Sequence, residues 1–164
     1  MSNKIIILTG EVQTGKTTTL QQFSAERNNV AGILTPIING KRMFYDISEK
    51  VFFEMEANDD EEKLTVGKYL FSGRAFKNAN RILINAGKRN DLDYLIIDEI
   101  GPLELKKQKG LHESFTAILS STFNYTLIIV VRRSLVEEIV TSFNLSKAGV
   151  MSIGEMEAYF RSTR

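Results

Sequence analysis

The sequence predicts an α/β fold in which a mostly parallel central sheet lies between two layers of helices, with an inserted β-hairpin region. Two observations lead to this prediction. Short apolar runs typical of buried strands alternate with helix-like segments near both ends of the chain. Between them, about residues 35–72 carry hairpin signals instead of helical ones. We therefore expect a single domain over residues 1–164, with a β-rich insertion at about 35–72.

The individual elements follow from short patterns along the chain. Apolar runs of strand length predict buried strands at 5–8, 30–34, 94–97, 127–131 and 150–153. Apolar residues at helical spacing predict helices at 17–27, 74–87 and 111–123. Ser134 and Glu137 have the spacing of a capping box that would open a further helix. Asn39-Gly40, between two apolar runs, predicts a hairpin with a type I′ turn.

A glycine-rich segment follows the first predicted strand. Residues 10–17, GEVQTGKT, fit the pattern G-x-x-x-x-G-K-[ST] of a phosphate-binding loop. Glycine lets backbone N–H groups approach a phosphate closely, and the next helix presents its N-terminus to the anion. We therefore expect a nucleoside triphosphate to be bound by Gly10, Glu11, Val12, Gln13, Thr14, Gly15, Lys16, Thr17 and Thr18. Lys16 is expected in a solvent-facing loop as a charge for the β- and γ-phosphates, and Thr17 as a hydroxyl ligand of Mg²⁺.

A second candidate element of the site is LDYLIIDEIG, where an apolar strand ends at Asp98. A carboxylate at this place can hold Mg²⁺ through water, and the next residue, Glu99, can orient or activate a water beside the γ-phosphate. Buried strands also end in acids that only cap the following turn. The phosphate-loop pattern at 10–17 favours the functional interpretation.

Arg132 and Arg133 follow the predicted strand at 127–131. In a parallel sheet they lie at the same edge as the phosphate loop, where an arginine can neutralise charge on the transferred phosphoryl group. The alternative is a solvated arginine pair before a helix, and the sequence does not indicate which of the two points inward. Four aromatic residues of the insertion are expected in the core rather than as a stacking surface for a base: Phe44, Tyr45, Phe52 and Phe53.

Composition limits the classes of function. The chain has no cysteine, which excludes disulfides, thiolate catalysis and cysteine-based zinc sites. The formal net charge of +1 provides no overall field for binding nucleic acid or an acidic membrane surface. No apolar segment reaches the length of a membrane span. We expect a cytoplasmic protein without membrane or nucleic-acid partners, and the oligomeric state stays open.

With these motifs the chain resembles the thermophile-type P-loop nucleoside-triphosphatase family, which is similar in outline to nucleotide kinases. The resemblance covers nearly the whole chain and rests on ILTGEVQTGKTT, AGILT and LIIDEIGPLEL; the last segment includes Glu104, which matches a glutamate of the family pattern. It implies a P-loop NTPase fold, Mg²⁺-dependent hydrolysis and site roles for Lys16, Thr17, Asp98 and Glu99. It also implies that the strand at 127–131 lies between the first strand and the Asp98 strand.

The preferred function from the sequence is Mg²⁺-dependent hydrolysis of the γ-phosphate of ATP- or GTP-type nucleotides. Two alternatives remain: a nucleotide or nucleoside kinase, and an NTP-binding switch without catalysis. The chain departs from the family pattern at Pro36-Ile37, at Pro102 and in the hairpin segment KRMFYDI. Because these differences fall at positions on the substrate side of the site in the family, the base preference stays open. The phosphate-binding motif itself is intact.

Overall fold

The structure is a computed structural model, and it describes residues 3–11, 15–58 and 62–163. The strands are β1 (Lys4–Gly10), β2 (Val30–Leu34), β3 (Ile37–Ile38), β4 (Lys41–Asp46), β5 (Val51–Glu54), β6 (Lys63–Val66), β7 (Tyr69–Ser72), β8 (Tyr94–Ile97), β9 (Thr126–Arg132) and β10 (Gly149–Met151). The helices are α1 (Lys16–Ala25), α2 (Gly73–Gly87), α3 (Pro102–Lys106), α4 (His112–Leu119), α5 (Val136–Ser142) and α6 (Ile153–Ser162). None of the helices in the described residues is long and apolar enough to cross a membrane.

The main sheet has the strand order β10-β1-β9-β8-β2-β4-β3, and β5 pairs with β4. Neighbouring strands are parallel from β10 to β2, and the pairs formed by β3, β4 and β5 are antiparallel. The strand β9 thus lies between β1 and β8, as the resemblance implied. Because the carboxyl ends of parallel strands meet at one edge, the segments after β1, β2, β8 and β9 converge there.

Helices cover both faces of the sheet. Residues of α1 and α6 pack against one face, and residues of α2, α4 and α5 pack against the other. Along β1, the side chains of Ile6 and Leu8 pack on the face covered by α1 and α6, while Ile7 packs on the face covered by α2, α4 and α5. Strands that are buried on both faces have near-continuous apolar sequences, which explains the runs in the sequence. The predicted three-layer α/β architecture is confirmed.

The β-rich insertion contains β3 to β7. Its strands β3, β4 and β5 extend the main sheet on the antiparallel side, whereas β6 and β7 form a separate hairpin that is joined to the segment after β5 by an antiparallel bridge between Phe71 and Glu56. At the turn between β3 and β4, Asn39 and Gly40 have φ values of 51° and 77°. A type I′ turn needs positive φ at both central residues, so the hairpin prediction is confirmed.

Two local predictions near the C-terminus were wrong. Ser134 does not cap a helix, because Arg133–Leu135 form a 3₁₀ turn and α5 begins only at Val136. The turn buries Leu135 in the core, which delays the start of the helix. The last strand ends at Met151, not at Ile153, which instead opens α6.

The C-terminal helix α6 was not predicted from the sequence. Its start has a capping box: the Glu155 N–H donates to Ser152 Oγ over 3.3 Å, and the Ser152 N–H donates to Glu155 Oε2 over 3.2 Å. Met156 and Phe160 of this helix are buried against the same face as α1. The helix therefore completes one of the two outer layers.

Candidate active site

The loop between β1 and α1 lies at the carboxyl edge of the sheet. Gly15 has a φ of 87° directly before α1, a conformation that favours glycine. The first N–H groups of a helix have no acceptor within it, so the start of α1 offers donors to an anion. Three of the predicted loop residues, Val12, Gln13 and Thr14, lie outside the described residues.

Lys16 is buried, with only 8% of its surface exposed, which corrects the expectation of a solvent-facing side chain. Its ammonium group folds back onto the loop: Nζ donates to the Glu11 carbonyl over 2.5 Å and to the Gly10 carbonyl over 3.4 Å. These carbonyl groups provide polar partners for a buried charge. Lys16 therefore lies at the base of the loop, beside the first turn of α1.

Thr17 and Asp98 meet across the space between α1 and β8. The Thr17 hydroxyl donates to Asp98 Oδ2 over 2.7 Å, and the Thr35 N–H donates to the same oxygen over 3.1 Å. Asp98 is 1% exposed, and burial raises the pKa of its carboxyl group, while the bonds from Thr17 and Thr35 act in the opposite direction.

Hydroxyl and carboxylate oxygens are the ligand type that Mg²⁺ prefers, and they lie together at the helix N-terminus. Among the described residues no group of three His, Cys, Asp or Glu side chains could hold a metal ion. A Mg²⁺ ion at Thr17 and Asp98 would thus take its other ligands from phosphate oxygens and water, which is usual at phosphate sites. The residues present fit this ion.

Glu99 forms an ion pair with Arg132, with 2.9 Å between Oε1 and Nε. Both side chains are partly buried. Arg132 is the last residue of β9 and is paired in register with Gly10, the first residue of the phosphate loop. Arg133 points elsewhere: it is exposed, and its Nη1 lies 3.6 Å from Oε1 of the exposed Glu11. The structure therefore distinguishes the two arginines, and Arg132 is the one beside Glu99.

A cavity of about 430 Å³ brings most of the predicted site residues together. Its lining includes seven of them: Gly15, Lys16, Thr17, Thr18, Asp98, Glu99 and Arg132. Gln21 of α1, Thr35 directly after β2 and further residues of the insertion form the rest of the wall. A second cavity of about 90 Å³ is lined by Asp98, Glu99 and Arg132 as well, but by none of the described loop residues. The carboxylates thus stand between the phosphate loop and the second cavity.

The insertion contributes residues to the cavity that sequence reasoning did not select. Thr35 could have been found, because it follows β2 at the edge where parallel strands end. Arg42 reaches the cavity only because the hairpin folds back, and no local pattern indicates this. Phe44 is buried as expected, whereas Phe52 is 42% exposed and lines the cavity, so the core prediction was wrong for Phe52. Its ring packs on Tyr45 with the centroids 4.5 Å apart.

Glu104 braces the segment after Glu99. It is 4% exposed, its Oε2 accepts from the Gly101 N–H over 2.9 Å, and its Oε1 accepts from the Leu111 N–H over 3.0 Å. Burial raises the pKa of the Glu104 carboxyl group to about 7, although the two N–H groups favour the charged form. Glu104 therefore ties α3 to the start of α4 behind the site.

A family model described as NTPase matches residues 5–159 of the chain. The chain belongs to this NTPase family. Two solved structures share the NTPase fold over nearly their whole length. THEP1 from the hyperthermophile Aquifex aeolicus is 22% identical, with 98% of this chain and 96% of that chain covered and a TM-score of 0.75. A human cancer-related nucleoside triphosphatase is 21% identical, with 98% and 99% covered and a TM-score of 0.68. No curated protein shows a significant sequence match.

Proposed function

We propose that this NTPase-family protein hydrolyses the γ-phosphate of ATP- or GTP-type nucleotides in a Mg²⁺-dependent reaction. One observation carries the proposal: the Thr17–Asp98 pair and the Glu99 carboxylate line the same cavity as the start of α1. The cavity thus combines donors for phosphate, oxygen ligands for a cation and a carboxylate for water. The family match and a relative described as a nucleoside triphosphatase support the same class of reaction.

The phosphates would bind at the N-terminus of α1. The N–H groups of its first turn and the Lys16 ammonium supply positive charge for the β- and γ-phosphates. Thr17 Oγ1 and the Asp98 carboxylate would hold Mg²⁺, directly or through water. When bound, the ion neutralises charge on the β- and γ-phosphate oxygens. The hydrogen bond from the Thr35 N–H keeps the Asp98 carboxylate oriented toward Thr17.

Glu99 would act on the attacking water. The water oxygen attacks the γ-phosphorus, the bond to the bridging oxygen breaks, and the nucleoside diphosphate leaves with the bonding electrons. Glu99 orients the water and accepts its proton. Arg132 holds Glu99 through Nε, and its other N–H groups remain available to the transferred phosphoryl group.

A nucleotide kinase is the second candidate, because the smaller cavity shares Glu99 and Arg132 with the larger one but is lined by none of the described phosphate-loop residues. An acceptor hydroxyl in that place would attack the γ-phosphorus instead of water. The same assay separates the reactions: phosphate release with Mg-ATP and Mg-GTP is measured with and without nucleosides and nucleoside monophosphates. Transfer to an added acceptor in place of phosphate release would support the kinase.

The decisive variant is Glu99→Gln, which keeps the shape of the side chain but cannot accept a proton. We expect single-turnover hydrolysis to fall by about 10²–10⁴-fold, with the affinity for Mg-NTP changed only a few-fold. Lys16→Ala should instead abolish tight binding, because it removes a phosphate ligand. Glu138→Gln, at an exposed position of α5, is the matched control and should behave as wild type. Hydrolysis within a few-fold of wild type in Glu99→Gln would remove Glu99 from the mechanism.

A further inference from the structure

Arg42 lies where the two cavities meet. It is the second residue of β4, and its side chain lines both the 430 Å³ cavity and the 90 Å³ cavity. Four other residues line both cavities: Thr35, Asp98, Glu99 and Arg132. Arg42 is thus the one charged side chain of the insertion in this shared set of described residues, and it lines both cavities together with Asp98 and Glu99.

The guanidinium of Arg42 has no acidic partner among the residues that the structure describes. Within residues 3–11, 15–58 and 62–163 no carboxylate lies within 4.0 Å of it, although the side chain is partly buried. Its Cζ lies 5.7 Å from the centroid of the Tyr69 ring, so an aromatic face supports the cation. The neighbouring Lys41, by contrast, is paired with Glu54 at 4.0 Å. A partly buried arginine that faces a cavity in this way is available to an anion.

The charges around the junction indicate where that anion would lie. Asp98 and Glu99 bring two carboxyl groups to the end of β8, so a phosphate group near them requires cations around it. Arg132 is already bound to Glu99 through Nε, and Lys16 lies at the opposite, loop end of the larger cavity. Arg42 is the cation that the insertion brings to both cavities beside these carboxyl groups. Its planar fork matches two oxygens of one phosphate group.

We propose that Arg42 contacts the γ-phosphate of the bound nucleoside triphosphate and makes the site select triphosphates over diphosphates. This inference rests on the proposed binding of a nucleoside triphosphate in the larger cavity. The insertion then has a chemical role, because it supplies a cation that recognises the group to be transferred. A nucleoside diphosphate would lack the contact, since its last phosphate occupies the loop.

The test compares Arg42→Ala, Arg42→Lys and the matched control Lys41→Ala. Affinities for Mg-AMPPNP, Mg-ADP and AMP are measured by calorimetry, and single-turnover phosphate release is measured with Mg-ATP. Arg42→Ala should weaken AMPPNP binding by about 10- to 100-fold, the usual size for a hydrogen bond to a charged group, and leave ADP binding within about twofold. Arg42→Lys should recover part of the affinity, because it keeps the charge but loses the fork. The control should match wild type in every measurement.

Three results with the variants would overturn the proposal. Equal losses for AMPPNP and ADP, accompanied by a lower melting temperature, would make Arg42 a structural residue. A loss confined to AMP would assign it to an acceptor site. Unchanged affinities would remove it from the site altogether. If wild type binds AMPPNP but releases no phosphate, the hydrolysis proposal fails, while the ratio of the affinities for AMPPNP and ADP still decides the role of Arg42. A wild type that binds neither nucleotide overturns both proposals.

Discussion

Raising the pH from 5 to 8 should lower the free energy of unfolding by about 2.5 kcal/mol through the single carboxyl group of Glu104. Burial raises its pKa from 4.5 to about 7 in the folded protein. The folded state therefore binds this proton more tightly than the unfolded state. The resulting stabilisation is complete below pH 4.5 and is lost as the pH rises through 7.

The magnitude follows from the two pKa values. One pKa unit corresponds to about 1.4 kcal/mol, so the whole effect is about 3 kcal/mol, of which about 2.5 kcal/mol falls between pH 5 and pH 8. In a chain of 164 residues, 1 kcal/mol moves the melting temperature by about 2–4 °C. We therefore expect Glu104 alone to lower the melting temperature by about 5–10 °C over this range.

Glu104→Gln isolates this effect, because an amide of nearly the same shape does not titrate. The variant cannot accept both the Gly101 and the Leu111 N–H groups, so it should be less stable than wild type. Because position 104 no longer titrates in the variant, this difference should shrink by about 2.5 kcal/mol between pH 5 and pH 8. Urea unfolding is measured for both proteins at pH 5, 6, 7 and 8. Other titrating groups, such as Asp98, are present in both proteins and cancel in the comparison of slopes. Glu113→Gln, at an exposed position, should retain the wild-type slope.

The result that refutes the reasoning is a common slope. If wild type and Glu104→Gln lose the same stability between pH 5 and pH 8, the carboxyl group of Glu104 does not titrate near 7. The two backbone N–H groups would then outweigh burial and keep it ionised.

Two further predictions follow from the same geometry. Arg132→Ala should lower turnover by about 10²-fold, because Glu99 loses its partner, whereas Arg133→Ala should stay near the wild-type rate. Equal, near-wild-type rates in both variants would remove arginine assistance from the mechanism. Gly32→Ala should lower the free energy of unfolding, measured in urea, by about 3 kcal/mol or more, because the φ of Gly32 is 130° and a Cβ would lie 2.0 Å from the Ile96 carbonyl oxygen. Gly149→Ala is the control, because a Cβ there meets open space. A similar loss of stability in Gly149→Ala would contradict the steric argument.

Much of the site could be predicted because local patterns carry its chemistry. A strand that ends in a glycine-rich loop and continues as a helix needs particular residue types, and residues 10–17 have them. Asp98 and Glu99 end a second apolar strand, and the rule that parallel strands share one carboxyl edge brings them to the same cavity. The side of the sheet to which each arginine points depends on how β9 ends, and only the structure distinguishes Arg132 from Arg133.

The parts that sequence reasoning missed depend on tertiary packing. Lys16 was expected in solvent because lysine is usually exposed, but loop carbonyls accept its hydrogen bonds and permit its burial. Arg42 and Phe52 reach the cavity through the pairing of β4 with β3 and β5, which a one-dimensional pattern does not show. The helix α6 does carry a local signal, the Ser152–Glu155 capping box, which has the same spacing as Ser134 and Glu137.

The position of β1 in the sheet has a consequence for how the chain acquires its site. Strand β1 is synthesised first, yet its neighbours in the sheet, β9 and β10, come near the other end of the chain; Lys4, for example, pairs with Thr126. Pairings between residues so distant in sequence form slowly, because a long loop must close before any contact rewards it. A chain that is still emerging from the ribosome therefore contains the phosphate-loop sequence but not the sheet that shapes the loop. The chain can bind nucleotide only after β9 has been synthesised and has paired with β1.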